Sequence, residues 1–111
     1  VRIPMPSASL NHAWYKFYCY LNNSFLKSGW SRERIIKEIN SLGYPCFEGG
    51  CSEIYLEKVF VDQKDISYER LPIAKELGQT SLMFLVHPTI SSEQIKNYVD
   101  ITFQVLSQAS K

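Results

Sequence analysis

The stretch from Ser81 to Gln94 constrains the fold of this chain more than any other. Residues 82–86 are all large and apolar, His87-Pro88 follows them directly, and a helix start comes next. A strand that is apolar on both faces belongs inside a sheet that is covered on both sides. We therefore expect a central strand over Ser81–His87. His87 then lies at the C-terminal edge of the sheet, where a ligand or a partner can approach.

Two amphipathic helices have recognisable starts. Ser91 and Gln94 form a capping-box pattern, and Ser31 can cap an earlier helix that ends at Gly43, because glycine adopts the left-handed conformation of helix ends. Helical spacing predicts that the later helix has a wide apolar stripe, formed by Ile95, Tyr98, Val99, Thr102, Phe103, Val105 and Leu106. In the earlier helix, four charged residues are expected on the outer side: Arg32, Glu33, Lys37 and Glu38.

The remaining segments complete an order of β-α-β-α-α-β-α. An aromatic strand is predicted over His12–Leu21, and one of its faces should meet the core, namely Ala13, Tyr15, Phe17, Cys19 and Leu21. The other predictions are a short strand Tyr44–Phe47, a short helix Cys51–Phe60, a charged loop Val61–Arg70, and a helix Leu71–Leu77 that starts with a proline and stops at Gly78. Three strands with long helical excursions indicate a small α+β fold, with helices packed on a sheet.

Size and composition exclude several classes of protein. The chain has 111 residues, enough for a single domain spanning 1–111, and its net charge of +1 includes no basic stripe, so we expect no nucleic-acid partner. The longest apolar run is far shorter than the roughly 20 residues that span a bilayer, so we expect no membrane partner. Residues 1–10 contain two prolines and read as an extended lead-in, typical of a linker in a longer protein.

The three cysteines are Cys19, Cys46 and Cys51. Their odd number and irregular spacing argue against a disulfide framework and predict reduced thiols in a cytoplasmic protein. Zinc requires about four ligands, which these cysteines and two distant histidines do not supply, so we expect no metal.

Four blocks of the chain together resemble a known family. They are His12–Tyr18, Cys51–Lys58, Leu71–Gly78 and Ser81–Pro88, and they occur in the matching order over nearly the whole chain. Together they resemble the C-terminal part of the DegT/DnrJ/StrS sugar-nucleotide aminotransferases, which use pyridoxal phosphate.

The resemblance implies the small C-terminal domain of an aspartate-aminotransferase-like fold, with a sheet of about three strands, mainly antiparallel. It also implies a large cofactor-binding domain, a homodimer, and transfer of an amino group, usually from glutamate, to a keto-sugar nucleotide used for polysaccharides or antibiotics. Pyridoxal phosphate needs a Schiff-base lysine and an acid beside its ring nitrogen. None of the eight lysines lies in a motif similar to that site. We therefore predict no catalytic residue here, no cofactor bound to this chain, and no activity in isolation.

Four residues are candidates for substrate binding: His87, Glu53, Tyr55 and Cys51. His87 either binds sugar or phosphate groups at an interdomain cleft or simply ties down the end of its strand. The segment after Gly49-Gly50 either meets the substrate or the partner subunit, or is a glycine turn followed by a packed helix. Cys51 lacks a neighbouring base in the sequence, which argues against a nucleophile.

A second hypothesis stays open. The chain could be a free-standing α+β module that binds a small ligand through His87 and the Gly49-Gly50 turn. The gene upstream of Val1 distinguishes the two hypotheses, because a large cofactor domain requires about 250 further residues.

Overall fold

The computed structural model describes residues 1–62 and 69–111. Its sheet has three strands in the order β1-β3-β2, where β1 is Lys16–Tyr20, β2 is Cys46–Phe47 and β3 is Ser81–Leu85. Both neighbours pair antiparallel with β3, with Lys16 opposite Leu85 and Cys46 opposite Phe84. All residues of β3 except Leu85 are buried. The predicted central, doubly apolar strand is therefore confirmed.

Within the described ranges, four helices accompany the sheet: α1 (Arg32–Ser41), α2 (Lys58–Val61), α3 (Pro72–Thr80) and α4 (Ser92–Ala109). Two short 3-10 turns, Asn23–Phe25 and Ile54–Leu56, lie in the connections. This arrangement confirms the predicted α+β fold with a small antiparallel sheet. No helix among the described residues combines the length and apolar character needed to cross a bilayer.

The core lies between the sheet and the helices α1 and α4. Its buried members come from both layers: Cys19, Leu21, Ile35, Ile39, Cys46, Leu82, Phe84, Val105 and Ala109. Full burial of an aliphatic side chain contributes about 1.5–3 kcal/mol. Ile35, Ile39 and Leu82, each 0% exposed, are therefore major contributors to stability.

The predicted helix caps are confirmed. The Ser31 hydroxyl accepts a hydrogen bond from the Arg34 N–H at 3.3 Å, and Gly43 adopts a φ of 88° just beyond α1. Ser91 and Gln94 form the complete capping box, with reciprocal bonds of 3.1 and 2.8 Å. Each cap satisfies amide groups that a helix start leaves without a partner.

The first strand is shorter than predicted, beginning at Lys16 instead of His12. Trp14 has a φ of 50°, and its N–H donates to Nδ1 of His12 at 2.9 Å, so the chain turns here. A left-handed residue interrupts the alternation of side chains that defines a strand. The expectation that Tyr15 and Ala13 face the core is therefore wrong: both are exposed, Tyr15 to 82%.

Each edge strand of the sheet has one residue whose outward backbone groups are bonded within the domain. Arg2 forms a two-bond antiparallel bridge with Tyr20, at 2.8 and 2.9 Å, on the free side of β1. At β2, the Asn40 amide side chain donates to the Cys46 carbonyl and accepts from its N–H, both at 2.9 Å. These bonds occupy part of the edges that could otherwise pair with another chain.

Two further predictions need correction. The helix expected over Cys51–Phe60 is instead a 3-10 turn followed by α2. Gly78 does not stop α3, which continues to Thr80 and passes directly into β3. Glycine at position 78 is explained by packing, because the Ser52 side chain occupies the space that a Cβ atom would need. The loop predicted over Val61–Arg70 lies mostly outside the described residues.

Arg32 is not on the outer side of α1, as its position in the helical pattern predicted. Its side chain is only 12% exposed and lies 3.4 Å from the carboxylate of Glu48. One of its terminal nitrogens, Nη1, donates to the carbonyl oxygen of Gly78. Arg32 therefore joins the start of α1 to α3, although the sequence pattern placed it in solvent.

Candidate functional site

The four predicted site residues occupy different regions of the molecule. The chain leaving β2 reaches the start of β3, where the Ser81 hydroxyl donates to the Glu48 carbonyl, and Cys51 lies close by. His87 lies beyond the opposite end of β3, and six residues of extended chain cover about 20 Å. Glu53 and Tyr55 lie at the start of α3, and neither lines the cleft that His87 lines. The chain therefore does not bring all four into one site.

Glu53 and Tyr55 belong to a hydrogen-bonded network with Arg70 and Leu71. The Arg70 guanidinium binds both carboxylate oxygens of Glu53 at 2.8 Å, a bidentate pairing. The Tyr55 hydroxyl donates to Glu53 at 2.9 Å and accepts from the Leu71 N–H at 2.9 Å. Leu71 is the N-cap of α3 and has no capping side chain of its own, so the network fixes the start of this helix.

The charges of this network are strongly biased. The hydrogen bonds from Arg70, followed by the one from Tyr55, lower the pKa of Glu53 to about 2. Burial, followed by the bond to Glu53, raises the pKa of Tyr55. At neutral pH, Glu53 is therefore a carboxylate and Tyr55 a neutral phenol. The network can orient polar groups, but neither residue is poised to exchange a proton near neutrality.

Cys51 is an exposed thiol that donates to the Glu57 carboxylate at 3.4 Å. This hydrogen bond raises the pKa of Cys51, so the thiol stays protonated at neutral pH. Nucleophilic cysteines instead need a lowered pKa. The geometry agrees with the sequence argument against a nucleophile.

The turn that precedes Cys51 has a geometric reason for its glycine. Gly49 has a φ of 108°, and a Cβ atom there would lie 2.9 Å from Cε1 of Tyr18. Gly50 and Cys51 line a cleft of about 300 Å³, together with Tyr18, Tyr20, Ser52, Ala74, Leu77 and Ser81. Hydroxyl groups and aromatic rings give this small cleft a mixed polar and apolar wall.

His87 is exposed and lies two residues beyond β3, which ends at Leu85 rather than at the predicted His87. Its Nδ1 lies 2.8 Å from the Thr89 hydroxyl and accepts the Thr89 N–H at 3.3 Å. A backbone N–H can only donate, so Nδ1 acts as the acceptor. In the neutral ring the proton therefore resides on Nε2, which becomes the donor that His87 can offer to a ligand.

A larger cleft of about 580 Å³ lies between α4 and the C-terminal end of β3, and we call it the α4 cleft. Its lining is Val1, Ile3, Trp14, Phe17, Cys19, Phe84, Leu85, Val86, His87, Ile90, Ile95, Tyr98, Val99, Thr102, Phe103 and Leu106. No lysine, arginine, aspartate or glutamate occurs in this set. His87 and Thr102 add polar groups to a wall that is otherwise apolar or aromatic.

A Schiff base with pyridoxal phosphate requires a lysine at the cofactor cleft. Neither cleft is lined by a lysine. Two lysines bind carbonyl oxygens instead: Lys27 donates to Gln108 at 2.9 Å and Lys111 to Ser24 at 2.8 Å. Residues 1–62 and 69–111 also contain no group of three or more His, Cys, Asp or Glu that could hold a metal ion.

Arg70 is the residue of this region that the sequence analysis missed. It is separated by 17 positions from Glu53, and no periodic pattern relates two residues in connecting segments. The α4 cleft did leave a signal in the sequence, because Tyr98 and Phe103 make the apolar stripe of α4 unusually wide.

Several proteins of known structure are similar to this chain. An aminotransferase from Psychrobacter cryohalolentis matches 89% of this chain with 50% sequence identity and a TM-score of 0.82, and the match covers 25% of that protein. A DegT DnrJ EryC1 StrS aminotransferase from Brucella abortus matches 99% of this chain at 16% identity and a TM-score of 0.70. The aminotransferase TlmJ from Streptoalloteichus hindustanus matches 96% at 15% identity and 0.75. The last two matches each cover 26% of those chains.

No protein-family model matches the chain, and no curated protein matches it either. The structural matches nevertheless agree with each other in the extent of the matched region, about a quarter of each longer chain. They confirm the resemblance seen in the sequence: this chain shares its fold with DegT/DnrJ/EryC1/StrS aminotransferases and fits their small C-terminal domain.

Proposed function

We propose that this chain is the small domain of a pyridoxal-phosphate-dependent aminotransferase that acts on keto-sugar nucleotides. The observation that carries the proposal is 50% identity over 89% of the chain to an aminotransferase, at a TM-score of 0.82. At such identity over one domain, a shared role for that domain is the simplest inference. Glutamate is the proposed amino donor, and the cytoplasm the proposed location.

In this proposal, the large domain supplies the cofactor lysine and the acid beside the ring nitrogen. The lysine-free clefts of the described residues support that division of labour. The isolated chain is then inactive, and the complete enzyme works as a homodimer, in which the small domain shapes the substrate cleft.

The proposed contribution of this domain to substrate binding is polar and non-catalytic. His87 can donate from Nε2 to a sugar hydroxyl or a phosphate oxygen, because Nδ1 is engaged by Thr89. Glu53 and Tyr55 are held in place by Arg70 and Leu71, so they can present fixed polar groups to the substrate or to a second subunit. Cys51 lies beside the smaller cleft and is proposed only as a contact residue.

The proposal is tested with the longer polypeptide that contains this chain. We expect an absorbance band of bound pyridoxal phosphate that borohydride fixes to a lysine outside residues 1–111. We also expect 2-oxoglutarate to form when glutamate and a keto-sugar nucleotide are supplied together. The isolated chain should show neither. A band fixed to a lysine of the isolated chain would contradict the proposal.

The role of His87 has a matched control in the chain itself. His87→Ala should raise KM for the sugar nucleotide and leave the cofactor spectrum unchanged. His12→Ala removes the other histidine, which is also exposed and lies outside both clefts. Equal kinetics for the two variants would remove His87 from the site.

Glu53 is tested in the same way. Glu53→Gln keeps the shape of the side chain but removes the charge that binds Arg70, and we expect a higher KM with an unchanged cofactor band. Glu76→Gln, at an exposed position of α3, is the control for loss of one negative charge. The alternative of a free-standing ligand-binding module is less well supported, because His87 and the Gly49-Gly50 turn lie at opposite ends of β3.

A further inference from the structure

The domain itself buries only part of the apolar stripe of α4. Val105 and Ala109 are buried in the core, with exposures of 2% and 0%. On the neighbouring side of the stripe, Val99 is 60% and Phe103 is 72% exposed, and both line the α4 cleft. A contiguous exposed apolar surface of this kind marks an interaction site.

The lining of the cleft limits what can bind there. No lysine, arginine, aspartate or glutamate lines it, so a charged ligand enclosed by its apolar wall would lose hydration without gaining an ion pair with one of these side chains. The volume of about 580 Å³ can receive several apolar side chains. The partner that fits is therefore an uncharged ridge of aliphatic or aromatic side chains.

The position of Val1 and Ile3 points to the source of that ridge. Both residues line the cleft, and the bridge between Arg2 and Tyr20 anchors them there. A polypeptide that continues before Val1 therefore emerges at the cleft. Covalent attachment gives such a segment a high effective concentration at this surface.

We propose that the apolar wall of the α4 cleft, apart from the exposed His87 beyond β3, receives an apolar ridge of the large domain in the same polypeptide, and that this packing sets the orientation of the small domain. The inference rests on the proposed function, and it specifies the partner of this surface. The three quarters of each similar chain that lie outside the matched region provide the required bulk.

A second copy of the domain fits this surface less well. A two-fold interface uses the same patch on both partners, so the patch must complement itself. A cleft facing an identical cleft leaves a void between them, and voids forfeit packing energy. The geometry thus favours a convex partner.

Thiol labelling of the longer polypeptide tests the proposal with a matched pair. Val99 and Phe25 are exposed to 60% and 63% in this domain, but only Val99 lines the cleft. In a Cys51→Ser background, Val99→Cys and Phe25→Cys are reacted with a disulfide reagent, and the rate of the background protein is subtracted. Docking predicts that Cys at position 99 reacts at least about tenfold more slowly, because labelling requires access. Rates within threefold of each other overturn the proposal.

Photo-crosslinking identifies the occupant. Phe103→p-benzoylphenylalanine places a crosslinker of similar shape in the cleft, and the same substitution at Phe25 is the control. We expect position 103, and not position 25, to form an adduct that mass spectrometry assigns to a large-domain peptide of the same chain. An adduct to a peptide from residues 1–111 of a second copy, to a small apolar molecule, or to nothing overturns the proposal.

The two proposals fail separately. Crosslinking does not depend on catalysis or on the cofactor. A polypeptide that crosslinks as expected but shows no borohydride-fixed cofactor band contradicts the aminotransferase function alone. A polypeptide that is active but does not crosslink contradicts the docking alone.

Discussion

The two sides of the apolar stripe of α4 lie in opposite environments. One side packs under the sheet through Val105 and Ala109, whereas the other side leaves Ile95, Val99 and Phe103 exposed to 52%, 60% and 72%. The helix has a single cap, a single stripe and continuous backbone bonds, so local sequence does not explain the difference. A regular amphipathic pattern therefore marks a surface that is suited to burial without indicating which part of the protein buries it.

Two leucines of β3 show the same contrast between a buried and an exposed apolar side chain. Leu82 is completely buried beneath α1 and α4, while Leu85 is 45% exposed at the wall of the α4 cleft. The domain is therefore well packed around Leu82 and open at the wall of the α4 cleft around Leu85. Substitutions at paired positions, or at a single interaction, test whether these two regions differ in stability.

The largest effect is expected at β3. Leu82→Ala should lower the free energy of unfolding by about 3 kcal/mol, because it removes buried methyl groups and leaves a cavity. Leu85→Ala removes the same atoms from a half-exposed position and should cost less than about 1 kcal/mol. Urea unfolding of the 111-residue chain measures both values. Similar losses at the two positions would contradict the division between core and cleft.

A second pair of substitutions compares the loss of stability at the buried and the exposed side of the α4 stripe. Val105→Ala should cost about 2 kcal/mol, since two buried methyl groups are lost, and Val99→Ala should change stability by less than about 0.5 kcal/mol. In the longer polypeptide, docking at the cleft should raise the cost of Val99→Ala. If its cost stays near zero there, the cleft remains open in the complete protein.

Loss of the α4 cap is expected to destabilise only the N-terminal end of the helix. Ser91→Ala removes the hydroxyl that accepts the Gln94 N–H at 3.1 Å, and an N-cap substitution of this kind costs about 1 kcal/mol. Hydrogen exchange should show faster opening of the first turn, with the amides around Val105 unaffected. Equally faster hydrogen exchange along the whole helix would show that its two ends do not open independently.

The smallest effect concerns pH and the network at the start of α3. The pKa of Glu53 is lowered to about 2 by Arg70, so the pairing stabilises the fold above the ordinary pKa of glutamate and is lost as pH falls through the lowered value. Wild-type stability should therefore decline between about pH 4.5 and pH 2. Arg70→Gln should flatten that part of the profile.

Arg34→Gln is the charge-matched control for this measurement, because Arg34 pairs with Glu38 on the exposed side of α1 at 3.6 Å. Identical acid profiles for the two variants would show that the bidentate bond between Arg70 and Glu53 does not contribute to stability.

Much of the fold could be predicted from short-range patterns. The apolar run after Ser81, the capping box at Ser91 and the glycine after α1 each act within a few residues, so they can be read directly. Prediction was wrong where distant residues intervened. The turn at Trp14 shortened β1, and contact with Ser52 allowed Gly78 to remain inside α3.

The candidate site was less predictable than the fold. Its residues were chosen from a resemblance and from their positions after glycines or strands, and their role in binding stays a prediction. Arg70, which holds Glu53 and so supports Tyr55, gave no signal in the sequence, because pairing across a connecting segment follows no periodic rule.

The sequence by itself determined the central apolar strand, the capped amphipathic helices and the α+β class, since these depend on side-chain periodicity and on local hydrogen bonds. Only the tertiary structure decided that Arg32 joins α1 to α3, that Glu53 pairs with Arg70, and that one side of the apolar stripe of α4 faces an open cleft. These features depend on how separate segments are placed in space, and the free energy of such contacts arises only after the backbone has brought them together.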